Sequence, residues 1–308
     1  MPDLRALSIK QLRAFAAVAR TGSPTAAAQE LSVTPPAVST HLRTLEQLVD
    51  APILLRSGDA LRPTQIGERL LEIAAEFEVS VERAAQKIDA LKSGAEGAAV
   101  LGVVSTAKYF APHIVAAFQS AHPGLCVALQ VGNRGAMIQG LERGAYDLMI
   151  MGRPPAEPRT VEAVLGDNPH ILIARPDHPL TAVEEAPREA LRGEIFLARE
   201  DGSGTRILMS GFLDRIGLRG GARVIEMESN ETIKQAAMAG LGIAMLSAHT
   251  CVAELKEGRL APIRAQGLPL VRQWRLLHRQ DRELDGAARA LRRFIIDNAA
   301  ALLPQVEV

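Results

Sequence analysis

The stretch GVVSTAKYFAP, Gly102 to Pro112, sets two hydroxyls and a cation directly after an apolar run. Ser105, Thr106 and Lys108 follow Val100–Val104, and a helical pattern begins at once. Such a strand-to-helix turn offers hydroxyls, free backbone N–H groups and positive charge to an anion. Three more turns have this character. Asn133 and Arg134 follow a second apolar run and open a helical pattern. The stretch from Glu200 to Arg206 follows a third, with Gly202 and Gly204 allowing close approach of backbone N–H groups to an oxygen. Ser203, Thr205 and Arg206 add donors and charge there, and Ser229-Asn230-Glu231 forms the fourth turn. Each alone reads as an ordinary helix cap. Four converging on one crevice read as a site for a small anion bearing phosphate or carboxylate groups.

The same residues argue against catalysis. The chain has no Gly-rich Lys-Ser/Thr phosphate loop and no Gly-x-Ser-x-Gly elbow, and Ser203 has no sequence-evident base. Seven histidines are scattered without metal-ligand spacing. Cys126 and Cys251 are too few and too distant for a disulfide framework or a zinc site, and read as packed or free thiols in a reducing cytosol. The expectation is a binding protein without cofactor or metal, with an enzyme as the weaker alternative.

The elements that hold these turns alternate. Apolar runs at 98–105, 125–131, 146–151, 170–175, 194–198, 222–227, 242–246 and 274–278 read as strands. Helical patterns at 108–124, 135–144, 204–217, 231–240 and 284–303 lie between and after them. This is an α/β arrangement of parallel sheets covered by helices, in which ligands bind where strand carboxyl ends meet.

The first third is different. Leu12, Phe15, Val18 and Ala19 recur at helical spacing, TAAAQEL is a short helix, and SVT is a tight turn. Thr34 then suits an N-cap and Pro35 a first helical position. In PPAVSTHLRTLEQLV the apolar Val38, Leu42, Leu45 and Val49 share one face, while Pro36, Ser39, Thr40, Arg43 and Gln47 lie opposite or beside it. Two short helices around such a turn describe a helix-turn-helix. Ile53–Thr64 reads as a hairpin turning at Gly58-Asp59, a wing that brings Arg56 and Arg62 to one edge against phosphates. Residues 1–64 hold seven Lys/Arg against five Asp/Glu, so the excess is small and a second copy is needed for firm grip. From Gln65 to Leu91 there is no proline. Leu70, Phe77, Ala84 and Leu91 repeat every seven residues, with Ala74, Val81 and Ile88 four places on. That is a long helix with a dimer seam.

Composition limits the rest. The 308 residues carry 35 Lys+Arg and 35 Asp+Glu, a formal net charge of +0, so nucleic-acid binding rests on local pattern and not on bulk charge. No signal-peptide core and no membrane-length apolar run is present, which predicts a cytoplasmic protein without a membrane partner.

Residues 7–71 resemble the N-terminal domain of LysR-type transcriptional regulators. The likeness runs through Phe15, Gly22-Ser23, Ala27-Ala28, Leu31, Pro36-Ala37-Val38-Ser39, Leu45-Glu46, Arg56, Thr64 and Gly67. Pro24, Val49-Asp50 and Leu55 depart from the Phe, Leu-Gly and Phe common there, and Pro35 stands where Gln often reads a base edge. GVVSTAKYFAP, GSGTR, NETIKQAAMAGLGIAMLS and VTPPAVS further resemble the subgroup that controls Calvin-cycle (carbon-fixation, RuBisCO) operons. The resemblance implies a winged helix-turn-helix at 1–64 and a long dimerising linker helix at 65–93. It also implies a two-lobed, periplasmic-binding-protein-like α/β effector domain at 94–308, lobe I being 94–166 with 267–308 and lobe II 167–266. Crossings between lobes are expected at 164–168 and 264–268. It implies a transcriptional activator working as a homodimer and homotetramer on double-stranded DNA and passing its signal to RNA polymerase. Its effector would be ribulose bisphosphate, phosphoenolpyruvate or a similar phosphorylated metabolite. DNA would meet Thr34, Pro35, Pro36, Ser39, Thr40, Arg43, Arg56 and Arg62. The effector would meet Ser105, Thr106, Lys108, Asn133, Arg134, Ser203, Thr205, Arg206, Asn230 and Glu231. A regulator of another pathway sensing a carboxylate, and a small-molecule binding protein, remain as alternatives.

Overall fold

Ser8 starts the first helix with a reciprocal cap: its hydroxyl accepts from the Gln11 N–H while the Gln11 side chain accepts from the Ser8 N–H. A computed structural model describes residues 6–57, 60–92, 94–218 and 220–306. The expected hairpin turn at Gly58-Asp59 and the last linker residue, Ser93, lie outside them. By contacts the chain divides into two compact units, 1–84 and 85–308.

In the first unit α1 (Ile9–Thr21), α2 (Pro24–Glu30) and α3 (Pro35–Val49) pack around Ala14, Ala17, Val18, Ala27, Ala28 and Val38. A second cluster joins Phe15, Leu45, Ile53 and Leu70. The short ribbon of β1 (Leu54–Ser57) and β2 (Ala60–Pro63) follows, then α4 (Gln65–Lys92). Thr64 anchors the junction, donating to the Pro52 carbonyl and accepting from the Gly67 N–H. A side chain at Gly67 would put its Cβ 2.2 Å from the Ile53 carbonyl oxygen, so only glycine lets α4 start this close to the ribbon. Among the described residues two hold left-handed backbone without being glycine: Ser32 (φ 54°) in the turn before α3 and Asp50 (φ 52°) at its C-cap. Asp50 fills the place that Gly commonly takes, at some conformational cost.

The described residues of the second unit are built on one nine-stranded sheet, in the order β4-β3-β5-β11-β6-β9-β7-β8 with β10 beside β6. Its elements are β3 (Gly97–Val104), α5 (Ala111–Ala121), β4 (Leu125–Gly132), α6 (Arg134–Glu142), β5 (Leu148–Met151), β6 (Thr160–Ala174), α7 (Arg188–Arg192), β7 (Ile195–Arg199), α8 (Gly204–Arg215), β8 (Arg223–Met227), α9 (Asn230–Met238), β9 (Ile243–Ser247), α10 (Val252–Lys256), β10 (Ala261–Ile263), β11 (Leu270–Arg279), α11 (Gly286–Asp297) and α12 (Ala299–Leu302). Each lobe has a parallel trio, β4-β3-β5 and β9-β7-β8. The trios are joined by the long antiparallel pair β6 and β11, which crosses from lobe to lobe with a register shift between Trp274 and Arg275. The parallel reading therefore holds within each trio and fails for the strands between them.

Alternation along β6 and β9 separates two apolar layers in lobe II. Leu172, Phe196, Phe212, Ile243 and Met245 lie on one face, and Ile171, Ile173, Leu197, Ile233 and Leu246 on the other. Lobe I packs Phe110, Phe118, Trp274, Leu291 and Ile295 about the β3-β5 strands. β6 begins ten residues before the strand expected at 170–175, because its first half, solvated on one side, is rich in polar residues such as Glu162 and Asp167. The helix expected from Lys108 begins at Ala111; Ala107–Tyr109 is a 3₁₀ turn instead. The second crossing lies within β11, later than 264–268, since Leu268 and Leu270 still pack against lobe II and Trp274 is already in the lobe I core.

Candidate functional site

The outward face of α3 in the first unit presents Thr34, Pro35, Pro36, Ser39, Thr40 and Arg43, all exposed, while Val38 and Leu45 are buried. Thr34 takes the N-cap position, yet its hydroxyl makes no capping bond. Pro35 and Pro36 supply no N–H, and the Ala37 N–H is taken by the Thr34 carbonyl at 3.0 Å. The hydroxyl is thereby left for another partner. The Thr40 hydroxyl, by contrast, donates to the Pro36 carbonyl at 2.9 Å. Arg13 is bound to Glu78 and Arg20 to Glu30, so the exposed cations without a carboxylate partner among the described residues of this unit include Lys10, Arg43, Arg56 and Arg62.

Arg56 and Arg62 do not share one edge as expected. The register pairs Arg56 with Leu61 and Arg62 with Leu55, and directly opposed residues share a face, so the two arginines point to opposite faces of the ribbon. A two-stranded ribbon can offer cations on both sides of itself.

In the second unit a cavity of about 690 Å³ lies between the lobes against β6 and β11. Of the ten residues expected there, Ser105, Thr106, Arg134, Ser203 and Thr205 line it. Ser203 and Thr205 at the α8 N-terminus, and Thr106 opposite, are each at least nine-tenths buried. The other five are engaged elsewhere. Asn133 caps α6 with its carbonyl and donates to Glu200 at 3.3 Å. Lys108 lies 3.9 Å from Glu231 and over the Tyr109 ring, and Glu231 also pairs with Lys234. Asn230 accepts from Arg199. Arg206 turns to the Arg199 carbonyl and to Glu226, away from the cavity. The 3₁₀ turn at 107–109 displaces Lys108, and the first turn of α8 directs Arg206 outward.

The cavity brings in further residues that carry no helix-opening turn signal in the sequence. Arg153 follows β5, and Asp167, Asn168, His170, Arg272, Gln273, Trp274 and Arg275 come from the crossing strands. Arg134 donates to the Arg153 carbonyl at 3.1 Å, and burial together with the Arg153 guanidinium pulls its pKa below the ordinary value. Neither has a carboxylate partner among the described residues, whereas Arg275 is paired with Glu162 at 2.8 Å. Two neighbouring guanidinium groups in that state suit an anion. His170 is almost fully buried, its Nδ1–H donating to the Asn168 carbonyl, and burial pushes its pKa down to about 4. Behind it the Trp274 indole N–H donates to His249 Nδ1 at 2.9 Å, and burial holds His249 near 4 as well. The two buried histidines of the cavity floor are thus neutral, and the cavity's positive charge comes from arginine, with Asp167 as the one carboxylate among its lining residues.

Among the described residues no group of three or more His, Cys, Asp or Glu could hold a metal, and no helix is long and apolar enough to cross a membrane. Cys126 and Cys251 are free, Cys251 buried with its pKa pushed up to about 12 by burial.

Residues 9–68 match the bacterial regulatory helix-turn-helix protein, lysR family, and residues 92–300 the LysR substrate binding domain. The HTH-type transcriptional regulator CbbR of Cereibacter sphaeroides is 44% identical over 306 residues, 99% of each chain. The RuBisCO operon transcriptional regulator of Allochromatium vinosum is 37% identical, over 96% of this chain and 98% of its own. Among solved structures, the Synechocystis PCC6803 CcmR regulatory domain in complex with 2-PG superposes with a TM-score of 0.63 at 33% identity, over 66% of this chain and 97% of that one.

Proposed function

The chain belongs to the LysR family of transcriptional regulators, DNA-binding proteins and not enzymes, and from that premise we propose that it controls carbon-fixation genes in response to a phosphorylated metabolite. The pathway is supported by full-length likeness to CbbR and RuBisCO operon regulators. The observation that carries the ligand is the Arg134–Arg153 pair, unneutralised by any described carboxylate and set in a cavity with three buried hydroxyl side chains. The neighbour solved with 2-PG agrees with this class.

DNA binding is assigned to α3, with Ser39, Thr40 and Arg43 in the major groove, Thr34 to Pro36 at its rim, and Arg56 and Arg62 on phosphates. Pro35 contributes only apolar contact. The seam of α4 supports a dimer. Phe77, Val81, Ile88 and Leu91 are 36–55% exposed on a single chain, and burying what is left gains each roughly half of the about 1.5–3 kcal/mol that full burial gives. A tetramer, a contact with RNA polymerase and action in the cytoplasm complete the reading.

The test is fluorescence anisotropy and footprinting of the full-length protein on the DNA upstream of its own gene. Ribulose bisphosphate, phosphoenolpyruvate and a non-phosphorylated acid are each added. A changed affinity or footprint with phosphorylated compounds alone is expected, and Arg134→Ala should abolish it. A response to the plain acid instead would move the protein to a carboxylate-sensing regulator.

A further inference from the structure

Arg199 ends β7 and its side chain is 3% exposed, yet it takes no part in the cavity wall. Its guanidinium grips Glu200 through two bonds, Nε to Oε2 at 2.7 Å and Nη2 to Oε1 at 2.8 Å. The remaining nitrogen, Nη1, reaches Asn230 Oδ1 and, across the crevice, the hydroxyl of Ser105 at 3.2 Å. Ser105 does line the cavity. A buried guanidinium therefore sits one hydrogen bond behind a cavity hydroxyl, with its fork filled by the next residue's carboxylate.

That carboxylate also crosses the crevice. Glu200 of lobe II accepts from the Asn133 amide of lobe I at 3.3 Å, and close by the Gly135 N–H of lobe I donates to the Gly202 carbonyl of lobe II at 3.1 Å. The Glu200 side chain is 18% exposed and can swing out toward solvent, whereas Arg199 cannot. The geometry has the form of a guanidinium already occupied by an internal anion, whose second bond ties the lobes together.

Resting on the effector reading above, we infer that Arg199 is a latent anion receptor and Glu200 a clasp that holds the lobes together until an incoming phosphate takes its place. A phosphate that reaches Ser105 offers Arg199 the same forked acceptor that Glu200 does. Glu200 then leaves and Asn133 loses its acceptor in the opposite lobe, which removes one tie between the lobes and weakens the neighbouring Gly135–Gly202 bond. The ligand thereby binds the unclasped state better than the clasped one, which is the condition for shifting a two-state equilibrium. No bond is made or broken covalently, and the exchange is one anion for another.

Two substitutions separate the parts. Glu200→Gln removes the charge and keeps the shape. Asn133→Asp keeps the cap on α6 but deletes the amide donor and opposes Glu200 with a like charge. Full-length wild type and both variants are compared by amide hydrogen exchange without ligand and by calorimetric titration with ribulose bisphosphate and inorganic phosphate. Both variants should speed exchange at the Gly135 amide at least several-fold, and Glu200→Gln should bind ribulose bisphosphate about tenfold tighter. Unchanged exchange in both variants overturns the clasp. A wild type that binds the bisphosphate while Glu200→Gln binds it no tighter overturns the exchange of anions alone. A wild type that ignores both probes overturns the effector reading and the exchange with it.

Discussion

The two units keep function in different places relative to their cores. In the first, every residue assigned to DNA is exposed, and on α3 the core lies on the opposite side of the helix. In the second, three of the hydroxyls that line the cavity are almost as buried as the core, and half of the expected site residues are held by partners outside the cavity wall. Function and stability are separable in the first and entangled in the second.

The largest effect tests the entanglement. Lys234, 4% exposed, donates to Glu254 at 2.8 Å and to the Thr250 carbonyl, beneath the Tyr109 ring of the facing lobe. Glu254→Leu leaves a buried ammonium with Glu231 as its one remaining counter-charge among the described residues and should cost about 3 kcal/mol. Adding Lys234→Met should restore much of that in chemical denaturation; failure to restore would mean packing, not charge, sets the cost. The intermediate effect tests separability. Arg43→Ala should weaken operator binding by about 1–3 kcal/mol. Its denaturation midpoint should stay within about 0.5 kcal/mol of wild type, because the side chain is exposed. A matching loss of stability would break the contrast. The smallest is a gain: Asp50→Gly relieves left-handed backbone at the α3 C-cap and should add about 0.5–1 kcal/mol, read as a raised melting temperature.

The same contrast explains what could be read from the amino acids. On α3 a period of 3.6 residues decides the inward and outward faces, so Val38 and Ser39 were assignable from spacing alone. The ribbon was legible as a ribbon, but a one-residue register decides its faces, and Arg56 and Arg62 fell on opposite ones. In the second unit the strand ends announced four polar turns, yet which donors reach the cavity depends on partners far away in the chain. Arg206 is drawn off by Glu226 and Lys108 by Glu231. Arg153 and Arg272 gave no local signal, because neither opens a helix and their meeting depends on how β5 and β11 pair. Arg199 hid for a related reason, being the last residue of an otherwise apolar strand.

The antiparallel pair β6 and β11 has one more consequence. Because both strands run through both lobes, neither lobe owns a complete sheet, and neither can melt while the other keeps its edge. The effector unit should therefore denature as one cooperative block, with its slowest-exchanging amides along the shared ribbon. Relative motion of the lobes is then a change of twist in a ribbon that stays hydrogen-bonded throughout, an elastic deformation with a restoring torque.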